Sequence, residues 1–168
     1  MALYASFIRG INVGGHGKLP MKPFCAALEV AGLKNVRSYI QSGNIACEAA
    51  TDPTAIISDV METGFSLTRP IHTLTAAKLS ALIAACPFAD ADAKRVLIYL
   101  HPGMADLAKL TPLAATDEKL TPGEGCTYLH APSGIGRSKL AAKADKALPQ
   151  PVTARNLATL RATASLLR

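Results

Sequence analysis

The stretch ALYASFIRGINVGGHGKLPMKPFCAALEVAGLKNVRSYIQSGNIACE, residues 2–48, decides the fold. Residues 2–9 are mostly apolar and run into a glycine-rich segment, which predicts a strand ending in a turn. From Pro20 a helical period takes over. Met21, Phe24, Cys25, Leu28 and Ala31 fall on one face, Pro20 opens the helix and Gly32 stops it. VRSYIQ (36–41) and NIACE (44–48) predict two strands, and Ser42 with Gly43 suits a tight hairpin between them.

Further along, Asp52 and Pro53 mark a helix start, and Gly64 its end. LTRPIHTL (67–74) predicts a strand, with Pro70 placing it at a sheet edge because proline cannot donate to a ladder. Thr75 caps a third helix carrying Leu79, Leu82, Ile83 and Cys86 on one face before Pro87. A second pass follows. RVLIYL (95–100) is a strand, 103–110 a short helix, 115–120 and 125–131 two strands, 136–147 a helix, 152–154 extended, and 155–167 a last helix. The order βαββαβ-α therefore occurs twice. It predicts an α+β fold of two ferredoxin-like subdomains in tandem, each followed by an extra helix. Their bounds are 1–86 and 95–168, with 87–94 as connector. The halves share little sequence, so duplication rests on element order, and unrelated halves remain the alternative.

With 168 residues, 49% of them apolar, the chain can bury a sizeable core, which excludes a disordered chain. Cys25, Cys47, Cys86 and Cys126 are far apart and form no CxxC pair, so the expected setting is a reducing cytoplasm with the thiols packed as small apolar groups. No apolar run approaches the roughly 18 residues of a membrane span, and the N-terminus lacks the features of a signal peptide, so no membrane partner is expected. The net charge of +6 is uneven: residues 135–168 carry 7 basic side chains against one acid, Asp145. That asymmetry hints at an anionic partner, although a solvated basic helix face explains it as well.

Three segments invite a test for anion binding. RGINVGGHGKLP (9–20) joins a strand to a helix, the setting of nucleotide loops. Gly10 and Gly15 have Walker spacing, but His16 and Gly17 replace the required Lys and Ser/Thr. Asn12 replaces the middle glycine of the dinucleotide fingerprint. The competing structural reading is a tight connector. GIGRSKL (134–140) opens a predicted helix, where free N–H groups with Arg137, Ser138 and Lys139 suit an anion. In TARN (153–156), Thr153 reads as an N-cap with Arg155 and Asn156 in the first turn. The four His are too scattered for a zinc set, no G-x-S-x-G elbow occurs, and no cofactor is expected. The basic tail lacks the interleaved aromatics of sheet-based RNA binders.

FIRGINVGG (7–15), LPM (19–21), VRSYIQSGNI (36–45), GIGRSKL and TARN together resemble the family called domain of unknown function 1697. The resemblance runs along the whole chain and implies an α+β fold of two ferredoxin-like subdomains. It implies no assigned reaction, substrate or cofactor. Leu157 stands where the family pattern usually has Trp, and His16–Gly17 replace a more polar pair.

The leading functional expectation is a small-molecule or phosphate-bearing ligand site. Its candidate residues are Arg9, Asn12, Gly14, Gly15, Lys18, Gln41, Ser42, Asn44, Arg137, Ser138, Lys139, Arg155 and Asn156. The alternatives are a nucleic-acid binder using the basic C-terminal helices, and a scaffold whose motifs serve folding alone.

Overall fold

A computed structural model describes every residue from Met1 to Arg168. It is an α+β structure with two four-stranded antiparallel sheets and five α-helices. The chain divides into two compact units, one of Met1–Ser80 with Arg161–Arg168 and one of Ala81–Leu160.

The first unit's sheet has the order β2-β3-β1-β4, from β1 (Ala2–Ile8), β2 (Lys34–Tyr39), β3 (Asn44–Ala49) and β4 (Ile71–Thr75). β4 is an edge strand, as Pro70 requires. Helices α1 (Met21–Val30) and α2 (Thr54–Phe65) supply Phe24, Leu28, Ile57 and Met61 to a core shared with Ile8, Leu19, Ile45 and Cys47. Phe24 and Phe65 meet edge-to-face with centroids 5.5 Å apart, a geometry worth about 1 kcal/mol beyond burial. A hydroxyl chain ties α2 to the sheet: Thr54 Oγ1 donates to Thr73 Oγ1 at 2.7 Å, and Thr73 Oγ1 lies 2.8 Å from Ser6 Oγ. α2 runs one residue past Gly64 and ends at Ser66, which takes the left-handed conformation at φ 53°.

Helix α3 (Ala76–Ala84) follows β4, and Thr75 Oγ1 accepts from the Lys78 N–H at 3.2 Å as the N-cap reading requires. The second unit's sheet has the order β6-β7-β5-β8, from β5 (Val96–Leu100), β6 (Lys119–Gly123), β7 (Cys126–His130) and β8 (Thr153–Asn156). Tyr99 and Leu129 pack with Leu140 and Ala144 of α4 (Lys139–Ala147) and with Leu148 just after it.

Three local expectations are corrected here. Residues 103–110 form turns rather than a helix, because the Asp106 carboxylate takes the Ala108 N–H at 3.0 Å in a local turn. Only Thr111–Leu113 makes a 3-10 turn. The strand expected at 115–120 starts at Lys119, since Glu118 closes a turn on Ala115. TARN is strand β8, pairing antiparallel with β5 from Leu97–Asn156 to Leu100–Thr153. Helix α5 (Leu157–Ser165) begins only after it, with Leu157 fully buried.

Candidate functional site

Three loops meet at the end of the first sheet where β1 finishes and β3 and β4 begin. The Ile8 N–H donates to the Gly43 carbonyl and the Arg9 N–H to the Pro70 carbonyl, each at 2.9 Å. The glycine segment is thereby held between the β2–β3 turn and the entry to β4.

Inside that segment the chain makes a miniature hairpin. Val13 and His16 exchange backbone hydrogen bonds at 3.1 and 2.8 Å, and the Asn12 N–H reaches the Gly17 carbonyl at 2.9 Å. Gly14 and Gly15 are the two turn residues, with φ of 56° and 77°. A type I′ hairpin turn needs positive φ at both positions, which glycine meets without strain. The glycines therefore serve a turn, and the N–H groups of Asn12, Val13 and His16 are engaged within the loop itself.

Asn12 closes the glycine segment on itself and fastens it to the β2–β3 turn. Its Nδ2 donates to the Leu19 carbonyl at 2.9 Å and to the Gln41 carbonyl at 2.6 Å, while its Oδ1 accepts from the Leu19 N–H at 2.8 Å. Asn44 works the same way within the β2–β3 turn: buried, it donates to the Tyr39 carbonyl and to Ser42 Oγ, both at 3.0 Å. Gly43 has φ 83°, and a Cβ there would lie 2.6 Å from Ile11 Cδ1. Asn12, Gly14, Gly15, Gln41, Ser42 and Asn44 thus converge in space, where their hydrogen bonds and turn geometry fasten the loops.

What the convergence leaves on the surface is charge. Arg9 and Arg69 are half-buried, and Lys18 and His16 are exposed. Arg69 is pinned, with Nε donating to the Gly10 carbonyl at 3.2 Å and Nη1 to the Thr68 carbonyl at 2.9 Å. The segments 9–20, 39–44 and 67–71 contain no Asp or Glu. Helix α1 points its N-terminus out of the same loop, with no acid in its first turn and no side-chain cap. Arg69 is the residue sequence reasoning missed. The signal available was Pro70, which marks where an edge strand enters the sheet.

The remaining candidates belong to the second unit. Ser138 is the N-cap of α4, accepting from the Ala141 N–H at 3.0 Å. Its hydroxyl donates to the Glu118 carboxylate, whose other oxygen accepts from the Ala115 N–H at 3.0 Å. An internal carboxylate is therefore already bound at this helix start, which offsets the cationic Arg137 and Lys139 beside it. At this helix start the N–H groups of Gly134, Arg137, Ser138 and Ala141 are engaged within the chain. Residues Ile135–Arg137 form a 3-10 turn ahead of the helix. Ser138→Ala removes both bonds and should lower unfolding stability by about 1–2 kcal/mol in urea denaturation. An unchanged midpoint would sink the capping account.

Arg155 and Asn156 are on β8, not in a helical first turn, and Thr153 is not the cap. Asn156 is the capping residue of α5, its Oδ1 accepting from the Thr159 N–H at 2.8 Å. Burial pushes the Arg155 guanidinium down to about 10, still charged at neutral pH, and its Nη1 donates to the Ala154 carbonyl at 2.9 Å. Burial raises the thiols of Cys25, Cys47 and Cys126, with Cys47 pushed up to about 11, so all three stay protonated. No helix is long and apolar enough to cross a membrane.

A family model described as "Protein of unknown function (DUF1697)" matches residues 1–128. The match contains the glycine segment, LPM and VRSYIQSGNI, whereas GIGRSKL and TARN lie beyond it. The solved structure of a conserved bacterial protein from Streptococcus pneumoniae is similar, with a TM-score of 0.73 and 25% identity over 99% of each chain. No curated protein matches.

Proposed function

Since the chain belongs to the family described as protein of unknown function (DUF1697), a description that names no reaction, we propose from the loop cluster that the protein binds a small anionic, phosphate-bearing ligand at the end of its first sheet. One observation carries this reading: Arg69 is pinned beside the glycine segment that carries the exposed Lys18, on loops that contribute no carboxylate. Like charges brought together repel, and a bound anion reverses the sign of that interaction. The donors are side chains rather than glycine N–H groups, and the α1 N-terminus adds its dipole. Arg69 joins the candidate set, and Asn12 and Asn44 act by positioning the loops.

Each sheet has the first and third strands of its half at the centre and the second and fourth at the edges, which supports the ferredoxin-like reading of both halves. In the second half a 3-10 turn, Thr111–Leu113, stands where the first helix is expected. The four free cysteines support a reducing, cytoplasmic setting.

Thermal unfolding in a pyrophosphate series, at ionic strength matched with sodium chloride, tests the ligand reading. At a hundred times the dissociation constant the protein gains about 2.7 kcal/mol. Lys18→Ala and Arg69→Ala each weaken the response. Equal stabilisation of wild type and both variants, or none in any, contradicts it.

A second reading has its own observation. Lys139, Lys143 and Lys146 are exposed at i, i+4 and i+7, one face of α4. Such a stripe suits nucleic-acid phosphates. Binding of a single strand through these three lysines gives a slope of roughly −2 in log affinity against log salt. A single-stranded RNA that shows no shift at low salt rules this out.

A further inference from the structure

Two aliphatic side chains stand out at the same loop cluster. Val13 is 61% exposed and Ile40 is 52% exposed. Each is next in the chain to one end of the hydrogen bond from Asn12 Nδ2 to the Gln41 carbonyl, 2.6 Å long, which ties the glycine segment to the β2–β3 turn. Ile40 also has φ 50°. A β-branched residue in the left-handed region is an outlier, because its Cβ crowds the backbone. Glycine or asparagine at position 40 would remove that strain, and Ile40 gains little burial in exchange. Folding therefore gives no account of why an isoleucine is there, and strain of this kind gathers at binding sites.

We infer that Val13 and Ile40 form an apolar lip on the anion site, and that the ligand is amphiphilic: an organic phosphate whose apolar part lies against these two side chains while Lys18 and Arg69 hold the charge. The inference rests on the proposed anion site and adds the ligand's second half. A purely inorganic anion would leave both aliphatics in water. The chemistry is shared by soluble alkyl or aryl phosphates and by phospholipid headgroups with the first carbons of their chains.

The test is a calorimetric series of inorganic phosphate, methyl, butyl and hexyl phosphate against wild type, Ile40→Gly and Val13→Ser. In wild type, affinity rises about two- to fourfold for each methylene that leaves water. In Ile40→Gly the affinity for inorganic phosphate stays as in wild type and the chain-length gain is lost, while the thermal midpoint rises because the strain is relieved. Val13→Ser loses part of the gain with no such rise. A wild type that binds inorganic phosphate with no dependence on chain length overturns the lip and leaves the anion site standing. So does an Ile40→Gly protein that keeps the full gain. Failure to bind any phosphate removes the anion site and the lip with it. Co-sedimentation with phosphatidylcholine vesicles, with and without phosphatidylglycerol, separates the sources. Retention that requires phosphatidylglycerol and is lost in Ile40→Gly assigns a lipid headgroup, and alkyl phosphate binding without retention assigns a soluble ligand.

Discussion

Asn12→Asp should lower unfolding stability by about 3 kcal/mol or more at pH 7, the largest effect expected of a near-isosteric change in this chain. The amide nitrogen faces two carbonyl oxygens, of Leu19 at 2.9 Å and of Gln41 at 2.6 Å. A carboxylate oxygen in its place cannot donate to either and repels both, while the Oδ1 bond from the Leu19 N–H survives. Asn12→Gly separates the contributions. It loses the side-chain bonds but suits the left-handed backbone at φ 54°, so its cost is about 2–3 kcal/mol, near 1 kcal/mol per hydrogen bond. The deficit of Asn12→Asp also depends on pH. The loop cations Lys18 and Arg69 favour the charged carboxylate, but the two carbonyl oxygens in direct contact with it favour the protonated form more strongly, so its folded pKa lies above its unfolded value of about 4. The folded state then holds more protons, and the deficit relative to wild type shrinks as pH falls from 7 through that raised pKa. Urea denaturation across pH reads this directly. A deficit that stays constant with pH, or one no larger than that of Asn12→Gly, contradicts the clamp.

Gly43→Ala carries the second large cost, about 2–5 kcal/mol. An added Cβ meets Ile11 Cδ1 at 2.6 Å, Ile8 Cβ at 3.0 Å and Ile11 Cγ1 at 3.1 Å. Ile8 and Ile11 are both buried, at 0% and 1% exposure, and Ile8 is fixed in β1, so neither yields freely. Overpacking of this sort costs about 1–3 kcal/mol, and the φ of 83° adds roughly 1–2 kcal/mol for a residue with a side chain. Gly14→Ala is the control. Its φ is 56°, but nothing lies within 4 Å of the new Cβ, so only the backbone contribution remains. If the two substitutions cost the same, the packing of the β2–β3 turn against Ile8 and Ile11 is not what holds this end of the sheet.

The parts of the fold that were readable from sequence depend on neighbours in the chain. The 2–48 segment gives its strand, helix and hairpin through period and punctuation, and Pro70 announces an edge strand. Where a residue's partner is distant, local reading fails for a physical reason. Asn12 resembles a failed glycine of a nucleotide fingerprint until Gln41, 29 positions away, is seen to accept its proton. Ser138 looks like a free helix-start donor until Glu118, 20 positions back, is found accepting from its hydroxyl. TARN has helix-capping chemistry, and Asn156 uses it one turn later than expected, while pairing with β5 makes the rest a strand. The Gly14–Gly15 turn was legible in principle, since two adjacent glycines between residues that can pair is a type I′ signal. The candidate list put residues 9–18, 41–44 and 137–139 in one site without a reason for them to meet, and the bond from Asn12 to Gln41 joins the first two. Arg69 was not among those residues, because only the strand order places its loop beside Gly10.

The central claim is that anion binding belongs to the loop cluster of the first unit. The most direct test is a pyrophosphate titration of the nitrogen-15-labelled protein, followed through amide chemical shifts at constant ionic strength. The account predicts saturable shifts concentrated at residues 9–18, 40–44 and 68–71, abolished in Arg69→Ala, with the amides of α4 unmoved. Shifts centred on residues 137–146, or a titration that moves no amide in the loop cluster, would contradict it.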